Sequence, residues 1–337
     1  MLYDLIEKLC ALPGVSGCED AVREAILQEI QQDCTCKVDA LGNLLAFKKG
    51  ARRPGKTILL SAHMDEVGLI VTSVEENGLL RFATVGGIDK RTIVGRAVQI
   101  GKTPGVIGCK PVHMRTSEEK DKAVPLDGLY IDIGAKDREE ALSLVSLGDR
   151  AVFISHYCEM GDGYLRGRAL DDRIGCALLV ELAKSPLPYD TWFAFTVQEE
   201  TGCTGAITAA AQVCPEIGIA VETTTACDIP GVEEGRTVCK LQHGPVVSHM
   251  DRGTLYDMKL YARALEIAQA RGIPCQTKEG VYGGNESRSV QVAGSGAQVL
   301  AVSVPCRYLH TPSCVAHRSD IGHTLALLQA LVEELGA

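Results

Sequence analysis

Aromatic residues are scarce in this 337-residue chain, only 4% with a single tryptophan. That leaves few rings to stack on sugar faces and argues against a carbohydrate enzyme. Positive charge is short too: 34 Lys and Arg stand against 43 Asp and Glu, for a formal charge of −9. A nucleic-acid backbone as main partner calls for a basic face, which this balance does not supply. No run approaches the roughly 20 apolar residues of a spanning helix. The opening MLYDLIEKLCALPGVSG carries Asp4 and Glu7 where a secretory signal would be positive. The expectation is a cytoplasmic protein with neither membrane nor nucleic acid as partner. CxxC pairs are missing although the chain has 14 cysteines. A zinc ribbon or disulfide scaffold therefore does not fit, and the cysteines read mostly as small buried hydrophobes. What remains, 46% apolar and 23% charged residues, is the composition of a folded globular chain.

Leu2, Leu5, Ile6 and Leu9 make the apolar stripe of a first helix, and Ser16 with Glu19 fits a capping box before a second. Strands follow at 44–47 and 57–62. From about Gly68 to Ile154 short β-rich runs such as GLIVTSV, RAVQIG and DRAVFIS alternate with Gly, Pro, Asn and Asp turns, with one short helix near 139–144. This texture predicts a small β-barrel or β-sandwich. Strand–helix alternation then returns: helix 174–184, strands 191–197 and 217–221, helix 254–271, strand 298–304 and a closing helix 320–335. The simplest architecture is an α/β domain in two pieces, 1–67 and 156–337, interrupted by a β-rich domain at 68–155.

Apolar strands in this chain repeatedly run into side chains that can bind metal. ILLSA leads to His63-Met64-Asp65-Glu66, TWFAFTV to Gln198-Glu199-Glu200, IGIAV to Glu222, and QVLAVSV through PCRYL to His310. Ligands of open α/β sheets gather at the carboxyl ends of the strands, so these positions can converge. Asp171-Asp172 adds a fifth contribution just before a helix. Alone, each element is commonplace: Asp-Asp before a helix is an ordinary cap and Glu-Glu an ordinary surface pair. Their shared placement is not. Imidazole with carboxylate suits zinc or cobalt, and two ions about 3.5–4 Å apart need a bridging carboxylate.

The segments AHMDEVGLIV, GRALDDRIG, VQEETGCTGA, IAVETTTACDIPG and RYLHTPS, in this order, resemble the tetrahedral (TET-type) dinuclear metalloaminopeptidases. That family includes glutamyl and deblocking aminopeptidases and some proteins labelled endoglucanase. VGRAVQI, GVIG, LYIDIGA and LGDRAVF resemble its inserted dimerisation domain, so the likeness spans nearly the whole chain. It implies a three-layer α/β/α catalytic domain with an inserted small β-barrel. It implies two divalent metal ions, zinc or cobalt with manganese as a third choice, held by His63, Asp171, Glu200, Glu222 and His310. Asp171 would bridge, followed by a peptide that is often cis in relatives. Asp65 would orient His63, and Glu199 would be the general base. Peptides would be the substrates, and the chain would assemble from dimers into a tetrahedral dodecamer.

Three positions depart from the family's pattern. Glu222 stands where Asp is usual, Gly283-Gly284-Asn285-Glu286-Ser287 where GGTDA is usual, and Thr204 where a basic residue often sits. Whether Glu222 joins the ion of His63 or that of His310 is open at the level of sequence. Cys203 is a candidate pocket-lining residue. His243, His249 and the Cys314/His317 pair read as loop or packing residues, and Lys48, Lys49, Arg52 and Arg53 as a solvated loop. The competing functions are another amide hydrolase on the same site (a deacylase or carboxypeptidase) and a non-catalytic metal-binding assembly protein.

Overall fold

The computed structural model describes residues 2–337. Helices α1 (Leu2–Ala11) and α2 (Asp20–Ile30) lead into strands β1 (Thr35–Val38), β2 (Leu44–Lys48) and β3 (Ile58–His63). Six strands then close a barrel: β4 (Gly68–Val74), β5 (Leu80–Val85), β6 (Ala97–Ile100), β7 (Thr103–Cys109), β8 (Leu129–Asp132) and β9 (Arg150–Phe153), in the order β4-β5-β8-β7-β6-β9. Of the two forms open to the sequence, barrel or sandwich, the chain takes the barrel. Its strands turn Leu69, Val71, Leu80, Ile107, Ile131 and Phe153 inward onto one separate core. Two short helices, α3 (Ser117–Lys120) and α4 (Arg138–Leu144), interrupt it.

After the barrel come β10 (Cys158–Met160), β11 (Tyr164–Gly167), α5 (Leu170–Lys184), β12 (Thr191–Thr196), α6 (Thr204–Val213) and β13 (Ile217–Thr225). The chain ends with β14 (Val246–Val247), α7 (Met258–Ala270), β15 (Gln276–Thr277), α8 (Ser287–Gln291), β16 (Gln298–Cys306), β17 (Cys314–His317) and α9 (Arg318–Leu335). The main sheet runs β1-β2-β12-β3-β13-β16-β14-β15, and its central four strands are parallel. Successive side chains of a strand point to opposite faces, and the central strands use both. Ile58, Leu60, Ile219, Val221, Leu300 and Val302 face the large core that includes α1, α5, α7 and α9. Their neighbours Leu59, Ala220, Val299 and Ala301 face a second core with Ala209 and Val290, from α6 and α8. Helices thus cover both faces of the sheet, the three-layer arrangement that near-continuous apolar strands require.

Several local expectations shift. Ser16 and Glu19 do not form a capping box: Glu19 is the residue before α2 and makes no side-chain cap. Ser16 instead donates to Asp65, and the Glu19 carboxylate accepts from the N–H groups of Gly17 and Gln198. Both residues are buried, and the polar groups beneath the site claim them. The helix expected from Thr254 begins at Met258, where the Asp257 carboxylate accepts the N–H groups of Lys259 and Leu260. The strand expected to stop at Val221 continues to Thr225, because β16 keeps pairing with it through Cys306. All 14 cysteines are free among the described residues. No described helix is long and apolar enough to cross a membrane.

Candidate metal centre

β3 and β12 run parallel with His63 opposite Thr196. The chain leaving β12 at Val197 is pinned by Asn43, whose side-chain oxygen accepts the Val197 N–H at 3.0 Å. Gln198 takes a positive φ, and the backbone turns so that Glu199 and Glu200 both face the site. Asp65 holds this turn. Its two carboxylate oxygens accept the N–H groups of Glu199 and Glu200 at 3.0 and 3.1 Å, and Ser16 Oγ donates to it at 2.6 Å. Gly205, at the start of α6, lies so close that a Cβ there would meet the Val197 carbonyl oxygen at 2.3 Å. Only glycine lets α6 seat against this turn.

Asp171 sits at the centre. One carboxylate oxygen is 3.6 Å from His63 Nε2, and the other is 3.4 Å from His310 Nε2. Glu200 Oε2 is 3.4 Å from the same His310 nitrogen, and Glu199 Oε2 is 4.0 Å from His63 Nε2. The Asp171–Asp172 peptide is cis. Asp172 itself is fully buried beneath the site and accepts the backbone N–H groups of His63 and Gly175. His63 Nδ1 faces the Asp65 backbone oxygen at 3.2 Å and its carboxylate at 3.4 Å, which leaves Nε2 free to point at Asp171. Glu222 opens onto the same cavity as His63, Asp171, Glu199 and His310. Its strongest electrostatic neighbours are Glu199, His63, Glu286 and Asp172. Barrel loop residues approach from the other side: a Cβ on Gly87 would lie 3.3 Å from His310 Nδ1, and one on Gly86 3.2 Å from Glu200 Cβ.

The titration behaviour follows from burial and crowding. Burial pushes Glu200 up to about 8, and it raises Glu199 as well. Burial and the nearby Glu199 carboxylate raise Glu222 well above its ordinary value. Burial opposes protonation of His63 and His310, but the carboxylates around them prevail. Asp171, Asp65 and Glu199 raise His63, and Asp171 and Glu200 lift His310 to about 10. Burial would also raise Asp171, yet the two imidazoles hold it far below the usual carboxylate range.

A divalent ion fits this donor set. His63, Asp171 and Glu200 offer one atom each within 4.8 Å of one another. Glu200 Oε1 is buried with no hydrogen-bond partner. Among the described residues no Lys or Arg is paired with these carboxylates, whereas the adjacent Glu66 is fully engaged by Arg168 and Arg173. Cys203 Sγ donates to Glu199 Oε1 at 3.3 Å. Glu286 is a residue that sequence reasoning did not assign. It is fully buried, hydrogen-bonds to Thr196, and donates its N–H to Glu222 Oε1 at 3.3 Å. Burial pushes its carboxyl up to about 7. The only signal in the sequence was the departure of the 283–287 loop from GGTDA. His243 is exposed, His249 stacks edge-on against Tyr261, and His317 caps α9.

Fold and donor set together define a hydrolase of the metallopeptidase type, built on an α/β/α sandwich with an inserted barrel. Residues 42–327 match the M42 glutamyl aminopeptidase family, and the chain belongs to that family. It is a peptide hydrolase by that membership. It is 39% identical over 331 residues to a protein of Acetivibrio thermocellus named provisionally as an aminopeptidase, covering 97% of each chain. It is 32% identical over 345 residues to the lysyl aminopeptidase of Pyrococcus furiosus, covering 99% of this chain and 97% of the other. Among solved structures, the Pyrococcus horikoshii TET1 peptidase, which can assemble into a tetrahedron or a large octahedral shell, superposes with a TM-score of 0.89. It is 36% identical and is matched over 99% of this chain and all of its own.

Proposed function

We propose that this chain removes N-terminal residues from peptides with the help of two divalent ions, zinc or cobalt with manganese as a third choice. The observation that carries the reading is Asp171, whose two oxygens face His63 on one side and His310 on the other at 3.6 and 3.4 Å. Asp171 would bridge, His63 and Glu222 would complete one ion's shell, and Glu200 and His310 the other's. Such a pair supplies an activated water and charge stabilisation at the scissile carbonyl.

The chain's own residues do the rest. Asp65, through the Glu199 and Glu200 N–H groups, fixes the two carboxylates relative to each other. Glu199, 4.0 Å from His63 Nε2 and ligated by nothing in this scheme, is free to act as base. It takes the proton of the attacking water on a carboxylate oxygen and returns it to the departing amine. Its raised proton affinity suits a group that must hold a proton between the two steps.

The proposed division is a catalytic unit of 1–67 and 156–337 and a dimerisation unit of 68–155, acting in the cytoplasm. In support, the barrel region exposes Val106, Val112, Met114, Leu144 and Leu147. Dimers joined there, and twelve-subunit tetrahedral shells built from them, are the assembly proposed. The deciding assay compares aminoacyl nitroanilides with N-acyl amino acids on metal-stripped protein given back zinc, cobalt or manganese. Metal-restored cleavage of the nitroanilides is expected. Cleavage of only the N-acyl amino acids would assign a deacylase, and full activity without metal would remove the two-ion reading.

A further inference from the structure

Family membership does not decide which N-terminal residue is taken. The family carries the glutamyl name, while one relative is a lysyl aminopeptidase, and these residues have opposite charges. The cavity beside the metal centre, about 230 Å³, does distinguish them. Besides His63, Glu199 and Glu222 it is lined by Thr223 and Lys278.

Lys278 is only 7% exposed, yet among the described residues no carboxylate lies within ion-pair distance of its ammonium and no side-chain hydrogen bond engages it. Lysine is almost never buried unless paired. Its backbone is fixed, since its N–H donates to Val247 O at 3.0 Å and the next N–H to Val238 O at 2.9 Å. The position is therefore built rather than a loose surface lysine folded inward. An independent observation lies on strand β13. Thr223 is also 7% exposed, and its hydroxyl is buried with no partner. A cation and a hydroxyl donor, both short of an acceptor, thus share the cavity that the proposed ligands open onto.

We propose that Lys278 and Thr223 form the receptor for the side-chain carboxylate of an acidic N-terminal residue, so that the preferred peptides begin with Glu or Asp. The inference rests on the aminopeptidase reading above. A carboxylate there meets an ammonium that no described carboxylate pairs with and a buried hydroxyl that has no partner. A lysyl or arginyl side chain would place like charges together in a confined space, and a glutaminyl amide would forgo the ion pair. The carboxylates of Asp171, Glu199 and Glu222 line the cavity too, but in the proposed scheme they face the divalent ions, which would offset their charge. Hydrogen bonds to charged groups in such places correspond to about a 10–100-fold preference.

The test uses metal-loaded full-length protein and the nitroanilides of Glu, Gln, Leu and Lys. The kcat/KM for Glu is expected to exceed that for Gln by about 10–100-fold. In Lys278→Met the Glu-to-Gln ratio should fall towards one, with Thr223→Val moving it the same way by less, and Lys278→Glu should shift preference towards Lys. Thermal melts establish that each variant is folded. A wild type that prefers Gln, Leu or Lys, or a ratio unchanged in Lys278→Met, would overturn the inference. Turnover of none of the four substrates would defeat the aminopeptidase reading instead. The receptor is then read by calorimetric binding of L-glutamate against L-glutamine: tighter glutamate, lost in Lys278→Met, upholds it, and equal affinity overturns it.

Discussion

Loading the centre with metal should expel protons, and the structure sets which groups lose them. Metal ligands must be deprotonated to bind. In the metal-free protein at pH 7, Glu200, pushed to about 8 by burial, holds its proton about nine times in ten. Glu222 is also raised, by burial and the nearby Glu199 carboxylate. His63 and His310 are held as imidazolium by the carboxylates around them. Asp171 is already ionised. Binding two ions should therefore release protons from Glu200 and His310, and further ones from Glu222 and His63, which are shifted in the same direction. Were the same ligands at their ordinary values, the carboxylates would release almost none, and two histidines near 6.5 about half a proton between them.

Titration calorimetry of zinc into stripped protein, in buffers of different ionisation enthalpy, counts the protons directly. A count near that half proton would refute the claim that the fold holds the ligands protonated. The same shifts set a sign for stability. Between 4.5 and about 8 the folded chain keeps a proton on Glu200 that the unfolded chain has lost. His310 does the same between 6.5 and about 10. In both windows the folded state binds more protons, so stability falls as pH rises. The melting temperature of stripped protein should decline from pH 5 to pH 9, and added zinc should restore most at the upper end. A decline no smaller in Glu200→Gln would show that Glu200 is not a source of it.

Glu199→Gln should retain two tightly bound ions and the native melt while kcat falls by ~10²–10⁴; near-normal kcat would show that Glu199 is not the base. Glu222→Ala should lower metal content after dialysis from two ions per chain to about one, because Asp171, Glu200 and His310 still hold the other. Glu222→Asp should keep much of the activity, and two tightly held ions in Glu222→Ala would remove Glu222 from the centre. Light scattering at working concentration should find an assembly well above the 36.0 kDa of one chain; a single species of that mass would contradict the assembly proposed for the barrel.

What could be read in the sequence was local. The runs ILLSA, TWFAFTV and QVLAVSV are apolar at nearly every position because helices cover both sheet faces, so strand ends, and the polar residues just past them, stand out. His63, Glu199, Glu200 and His310 were visible for this reason. What could not be read depends on contacts far apart along the chain. Ser16 meets Asp65 across 49 residues, and Asp65 reaches Glu199 and Glu200 across 134 and 135. A capping-box spelling at Ser16 and Glu19 therefore pointed to a local role that tertiary packing overrides. Helix α6 escaped notice because TGAITAAAQV is mostly alanine and small residues, without the contrast that marks an amphipathic face. Lys278 shows nothing in QTKEG; only its burial without an acceptor sets it apart.

Glu222 and Glu286 show how one departure explains another. Each is a Glu where the family resemblance leads one to expect Asp, and in the fold they touch, the Glu286 N–H donating to Glu222 Oε1 at 3.3 Å. Glu286 also reaches Thr196, the residue opposite His63 on the adjacent strand. A carboxylate one methylene longer at position 222 needs a neighbour that restrains it, and the 283–287 loop supplies that restraint through its backbone. The longer side chain at 286 in turn spans the distance to Thr196, which ties the loop to the strand that delivers Glu199 and Glu200. Taken alone, either exchange looks like a loosened ligand set. Taken together, they form one contact that ties the 283–287 loop to β13, with the Glu222 carboxylate on the same cavity as His63.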